Sequence, residues 1–277
     1  MLNMDMIDEI ISKALFEDIG TGDITTLSTI PAEQRIRGRF ISKEPGVVCG
    51  LEVIKKVFEK MDKEIALTFE VNDGSRVNAG DIIAKIEGSA VGILTGERVA
   101  LNFLQRLSGI ATKTAHTVEV IKDTKARITD TRKTTPGLRI LEKYAVKTGG
   151  GANHRFNLSD GILIKDNHIK AAGSITNAVT AARSNAPHTL KIEVEVESMA
   201  QIDEALEAGA DIIMLDNMDL DAMKAAVEKI AGHALVEASG NMGDKDLQAV
   251  AATGVDLISI GALTHTVKAM DISLRFE

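Results

Sequence analysis

Residues 130–168 read DTRKTTPGLRILEKYAVKTGGGANHRFNLSDGILIKDNH, and the fold turns on this run. A strand-like stretch, ARITDTR at 126–132, leads into it. A pattern with helical spacing fills 136–150, where Pro136 suits a first-turn position. A second strand candidate, GILIKD at 161–166, closes it. Strand, helix and strand in succession imply two parallel strands joined by a crossover.

The same alternation continues to the end of the chain. Strand candidates follow at 191–198, 211–217, 234–240 and 257–262, separated by helical patterns at 198–210, 219–232 and 243–254. About six βα units fall short of the eight of a closed barrel, so the expectation is an incomplete α/β barrel. Upstream, 29–88 reads as short strands and turns around one helix. RIRGRFISKE (35–44), ALTFEV (66–71) and DIIAKIEG (81–88) are the strands, LEVIKKVFEKM (51–61) is the helix, and NDGSRVNAG (72–80) has turn chemistry. This predicts an N-terminal α/β (α+β) sandwich domain over 1–110 and a barrel domain over 111–277, with the C-terminal tail free to pack back on the first. A long helix at 96–123 joins the two patterns, and its Ser108-Gly109 pair is expected to kink or interrupt it.

Between Arg127 and Lys170, nine basic residues face four acidic ones, in a chain of 277 residues with net charge −8. An acidic protein that collects cations in one segment is suited to a small, highly anionic ligand. Net acidity, the absence of Trp and a single Tyr disfavour nucleic acid as a partner. One cysteine, Cys49 in the apolar VVCG, excludes an intramolecular disulfide and reads as a packing residue. No apolar run reaches membrane-spanning length, and the acidic amphipathic N-terminus does not resemble a secretory or mitochondrial leader. A cytoplasmic enzyme is the expectation.

Almost every strand candidate ends in polar residues, and in a barrel such ends converge on the C-terminal face. Arg132, Lys133, His154, Arg155 and Lys165 are candidates for an anion cage, because Arg offers a planar fork and Lys a point charge. By contrast Arg139, Lys143 and Lys147 recur every four residues and read as a solvated helix face. Glu195 and Asp216 end neighbouring strands. Such a pair suits Mg²⁺ held through water and sugar hydroxyls, or a positive charge developing on a sugar carbon. Glu193, Glu195 and Glu197 share one strand face, with Lys133 and Lys165 as their expected partners. Ser239, Gly240 and Gly261 end the last two strands, where barrels commonly bind phosphate. No zinc motif, dinucleotide fingerprint or P-loop occurs.

Taken in order, the 130–168 run with EVEVES (193–198), IMLDN (213–217), EASGN (237–241) and GALTHT (261–266) resembles the quinolinate phosphoribosyltransferase family. EDIGTGDIT (17–25) and the 96–123 helix resemble it too. The resemblance implies a type II phosphoribosyltransferase fold and a homodimer. It implies Mg²⁺, with quinolinate and 5-phosphoribosyl-1-pyrophosphate as substrates and nicotinate mononucleotide, pyrophosphate and CO₂ as products. It places Arg132, Lys133, His154 and Arg155 around the dicarboxylate, and Arg98 in the partner subunit's site. Lys133, Lys165, Glu195 and Asp216 take catalytic roles, the last two near ribose and metal, with Ser239, Gly240 and Gly261 near the 5′-phosphate. The residues alone also permit a Schiff-base barrel lyase using Lys165, or a non-catalytic phosphosugar-binding protein.

Overall fold

The computed structural model describes residues 4–277. The chain begins with helices α1 (Met4–Ile19) and α2 (Ile24–Thr29). It continues through β1 (Arg35–Ser42), β2 (Gly46–Val47), α3 (Leu51–Met61), β3 (Ala66–Phe69), β4 (Arg76–Val77), β5 (Ile82–Ser89) and α4 (Ala90–Val120). Next come β6 (Arg127–Thr129), α5 (Arg139–Thr148), β7 (Ile162–Ile164), α6 (Asp166–Ala172), α7 (Ile175–Asn185), β8 (Ile192–Val196) and α8 (Met199–Glu207). The last elements are β9 (Ile212–Asp216), α9 (Leu220–Ile230), β10 (Leu235–Ser239), α10 (Leu247–Ala252), β11 (Leu257–Ser259), α11 (Ala262–His265) and β12 (Ile272–Phe276). No described helix is long and apolar enough to cross a membrane.

Two compact units result. The first comprises Met1–Ala115, Thr135–Gly150 and Thr266–Glu277; the second comprises His116–Thr134 and Gly151–His265. The first break falls between Ala115 and His116, and two later segments return to the first unit. The tail strand β12 pairs antiparallel with β1 in a sheet ordered β12-β1-β5-β3. Helix α5 belongs with the first unit because its contacts lie there. Arg106 donates to Glu142 at 3.0 and 2.5 Å, and the Tyr144 hydroxyl donates to Asp73 at 2.7 Å. Leu141, Glu142, Lys143, Ala145 and Val146 are all buried, so the helix is covered on more than one side. Lys143 accordingly corrects the solvated-face expectation, which only Lys147 meets fully.

Helix α4 also departs from expectation. It starts at Ala90 and runs unbroken through Ser108-Gly109. The pair serves packing instead of bending. The Ser108 hydroxyl accepts from the Cys49 N–H at 3.0 Å, and a Cβ at Gly109 would lie 2.2 Å from the Lys268 carbonyl oxygen. Only a residue without a side chain lets the tail segment approach so closely. Cys49 is fully buried, and burial pushes its thiol well above the usual range, so it packs and does not react.

The second unit is a six-stranded, all-parallel sheet in the order β6-β11-β10-β9-β8-β7. Strands β7 to β11 are neighbours in chain order, and β11 pairs back on β6. Ala152 adds a parallel bridge to Thr129 on the far side of β6, and no ladder joins it to β7. The barrel is therefore incomplete, as the count of βα units implied. Val194, Val196, Ile213, Leu215, Val236, Ala238 and Ile258 are buried on the outer face under the helices, while the alternate residues face inward. Helices α7, α8, α9 and α10 open on side-chain caps from Ser174, Ser198, Asp219 and Asp246, which satisfy first-turn N–H groups. These caps turn the chain away from the sheet and leave the strand ends to the site.

Candidate active site

The inward residues at the C-terminal ends of the strands line a cavity of about 620 Å³. Ten of the residues singled out from sequence line it: Arg132, Lys133, His154, Arg155, Lys165, Glu195, Asp216, Ser239, Gly240 and Gly261. Arg98 does not. It stands exposed on α4 in the first unit, and the nearby Glu97 feels its charge.

Asp130 builds one wall. It is fully buried after β6 and accepts from Asn153 Nδ2 at 2.7 Å and the His154 N–H at 2.9 Å. Its own N–H donates to the Ala152 carbonyl. One carboxylate thus clamps the ANHR segment beside β6, which places His154 and Arg155. Sequence reading noted Asp130 only as part of a polar strand end. The turn that follows is tied by the Thr264 hydroxyl, which donates to the Lys133 carbonyl at 2.8 Å. Arg132 and Lys133 remain exposed there. The Arg155 guanidinium donates to the Gly161 carbonyl at 2.9 Å through one terminal nitrogen, while its buried Nε has no protein partner. Burial, and then Arg132, hold its pKa below the usual arginine range.

Lys165 ion-pairs with Glu195, its expected partner. Its backbone belongs to the cap of α6, where the Lys165 N–H donates to His168 Nδ1 at 3.0 Å. That cap explains the terminal His of the KDNH run. Asp216 ends β9 beside Glu195's strand and accepts from Asn217 Nδ2 at 3.0 Å. Gly240 lies at φ +93°, where a Cβ would come 2.2 Å from Asn217 Oδ1. Only glycine permits this turn.

Two expectations need correction. Glu193 meets neither Lys133 nor Lys165; its ion-pair partner is His154, whose Nε2 lies 3.0 Å from Glu193 Oε2 and 3.8 Å from Glu237 Oε1. His154 is also not a plain cation facing the cavity. Its Nδ1 accepts from the Arg155 N–H at 2.9 Å, so the ring proton sits on Nε2 and points at the two acids. Glu237 escaped the sequence reading as a functional residue. The register of β10 against β9 and of β9 against β8 puts it level with Met214 and Glu195 on the inner face. Burial, then Glu193, push its carboxyl up to about 7.

Glu195 and Asp216 supply the hard oxygen ligands Mg²⁺ prefers, and both line the cavity among its cations. His154, Glu193 and Glu237 also bring donor atoms within 4.8 Å of one another. They suit a metal less well. A metal-bound Nε2 would require a proton on Nδ1, and Nδ1 faces a backbone N–H donor.

An incomplete α/β barrel with a cluster of cations facing acids across its strand ends has the architecture of a phosphoribosyl-transferring enzyme. The quinolinate phosphoribosyl transferase N-terminal domain family matches residues 23–108 and the C-terminal domain family residues 110–275, so the chain belongs to the quinolinate phosphoribosyltransferase family. It is 42% identical over 276 residues to the nicotinate-nucleotide pyrophosphorylase (carboxylating) of Mycobacterium leprae, covering 98% of this chain and 97% of that one. The solved structure of NadC from Streptococcus pyogenes superposes with a TM-score of 0.94 at 45% identity, covering 100% of this chain and 99% of that one. The nicotinate-nucleotide pyrophosphorylase of Francisella tularensis does so at 0.96 and 40%, covering 100% and 98%.

Proposed function

We propose that this protein transfers the phosphoribosyl group of 5-phosphoribosyl-1-pyrophosphate to the nitrogen of quinolinate with loss of CO₂. The products are nicotinate mononucleotide, pyrophosphate and CO₂, a step of NAD biosynthesis. The observation that carries the reading is one cavity lined by Arg132, Lys133, Arg155 and Lys165 together with Glu195 and Asp216. A pyridine dicarboxylate needs the former set, and a ribose carbon gaining positive charge needs the latter.

Arg132 and Arg155 hold the two carboxylates, with the unpartnered Nε–H of Arg155 as a ready donor. Lys133 adds a charge beside them. Glu195 and Asp216 stabilise the positive charge that grows on the ribose as pyrophosphate leaves, and the cage holds the pyridine nitrogen in line for attack. Ser239, Gly240 and Gly261 receive the 5′-phosphate at the turn where Gly240 keeps the backbone open. Glu195 and Asp216 would also hold Mg²⁺, which when bound would supply charge neutralisation for the leaving pyrophosphate. The acting form is a cytoplasmic homodimer in which Arg98 reaches the partner's site. The Lys165–Glu195 pair weighs against a Schiff-base lyase, because the amine is engaged by a carboxylate.

Purified protein given quinolinate, phosphoribosyl pyrophosphate and Mg²⁺ is expected to release nicotinate mononucleotide and CO₂. Nicotinate in place of quinolinate is expected to be a very poor substrate, since cage cations would be left without a partner. Equal turnover of the two acids, or binding without turnover, would overturn the reading.

A further inference from the structure

The barrel has a second cavity, of about 320 Å³, lined by residues at the opposite, N-terminal ends of the strands, among them Arg127, Ile162, Lys191, Ile212 and Leu257. It shares three lining residues with the first cavity: His154, Arg155 and Glu237. Glu237 is the one carboxyl that borders both. Its residue is 1% exposed, and Oε1 has no hydrogen-bond partner. Glu193 lies beside it, 5% exposed, with its own Oε1 equally unsatisfied.

Protons are scarce in this cluster. The single ring N–H of His154 points at both carboxyls, 3.0 Å from one and 3.8 Å from the other. Two carboxylates buried side by side would gather negative charge beside a site for anions, opposed by His154 and Lys165, which both act on Glu237. A second proton, on Glu237, relieves this. Of the groups that act on it, burial and Glu193 favour its protonated form and His154, Ser259 and Lys165 oppose it, and the balance leaves the carboxyl at about 7. A neutral acid can stand next to a bound dianion without repelling it, and it still has a proton to give.

The reaction proposed above needs that proton. Once the ring nitrogen is quaternary, the bond from C2 to its carboxylate breaks and CO₂ leaves. The bonding electron pair stays on C2, and it must take a proton to give the product's C2–H. Of the cage cations, Lys165 is held by Glu195, and arginine keeps its proton. Resting on that reading, we propose that Glu237 donates the proton that replaces the departing carboxylate, and that it is reprotonated by water from the cavity at the N-terminal ends of the strands. The new C2–H bond takes the proton, Glu237 is left as a carboxylate beside Glu193, and water returns the proton. One proton is consumed per CO₂ released, and no other reactant is required.

The test compares wild type with Glu237→Gln, which keeps the shape and loses the acid, and Glu237→Asp, which keeps the acid. Single-turnover release of pyrophosphate and formation of nicotinate mononucleotide are followed separately. The expected result for Glu237→Gln is an unchanged first release of pyrophosphate with nicotinate mononucleotide formation slowed by roughly 100-fold, as for loss of a general acid. Glu237→Asp should recover part of that loss. In wild type, kcat should fall as pH rises through about 7, with no substitution needed. Product formation at the wild-type rate in Glu237→Gln, an equal slowing of both steps, or a flat wild-type profile would overturn the proposal. A wild type that makes no nicotinate mononucleotide would instead overturn the reading of the overall reaction.

Discussion

Glu237 also leaves a mark on folding that needs no substrate. Its carboxyl moves from an ordinary 4.5 to about 7 in the folded protein, because burial and Glu193 penalise its charge. At 1.36 kcal/mol for each tenfold change in proton affinity, this linkage is worth on the order of 3 kcal/mol. The sign follows from which state holds the proton more tightly. The folded state does, so the contribution is complete below about pH 4.5 and is lost as pH rises through about 7. Glu237→Gln removes the titration while keeping most of the volume. Other groups titrate in both proteins, so the informative quantity is the difference in unfolding free energy between wild type and variant. Measured by urea unfolding, wild type relative to variant should weaken by about 2 kcal/mol between roughly pH 5.5 and pH 8.5. Parallel pH dependences for the two proteins would refute the argument, and with it the neutral acid on which the proton-donor proposal depends.

Arg106→Ala leaves Glu142, whose side chain is 0% exposed, without its guanidinium, and should cost on the order of 3 kcal/mol by chemical denaturation. Arg106→Lys should recover little of this, since Arg106 reaches Glu142 with both Nε and Nη2, and Nη2 also reaches the Thr135 hydroxyl. Gly240→Ala places a Cβ 2.2 Å from Asn217 Oδ1 at φ +93°, and should cost about 1–3 kcal/mol together with a raised KM for phosphoribosyl pyrophosphate. Arg98→Ala and Lys133→Ala, each inactive alone, should regain activity when mixed, through hybrid dimers carrying one intact site. No recovery despite verified subunit exchange would remove Arg98 from the partner's site.

Most of the order of elements was legible in the sequence because helices and strands announce themselves through local spacing, although α6 and α7 between β7 and β8 were not among the patterns read. All six barrel strands fall within the stretches read for them, and polar strand ends pointed to eight of the ten singled-out residues that line one cavity, His154 and Arg155 coming from the segment between strands. Boundaries of packing were less legible. Arg139, Lys143 and Lys147 have the spacing of a solvated face, yet Lys143 is buried, because periodicity describes one helix and not what covers it. Ser108-Gly109 looks like a kink until the Lys268 carbonyl is seen against it; a glycine kept for close approach and one kept for bending are identical in sequence. Partner choice was least legible. Glu193 had two lysines as expected partners and meets His154 instead, brought there by the Asp130 clamp on the ANHR segment. Glu237 sat in the EASGN run as one acid among many. Its raised proton affinity comes from the register of β10 against β9, which turns it inward, and from burial beside Glu193. Charge and spacing are properties of a chain segment, whereas the free energy of a charge depends on what surrounds it, and those surroundings come from residues distant in sequence.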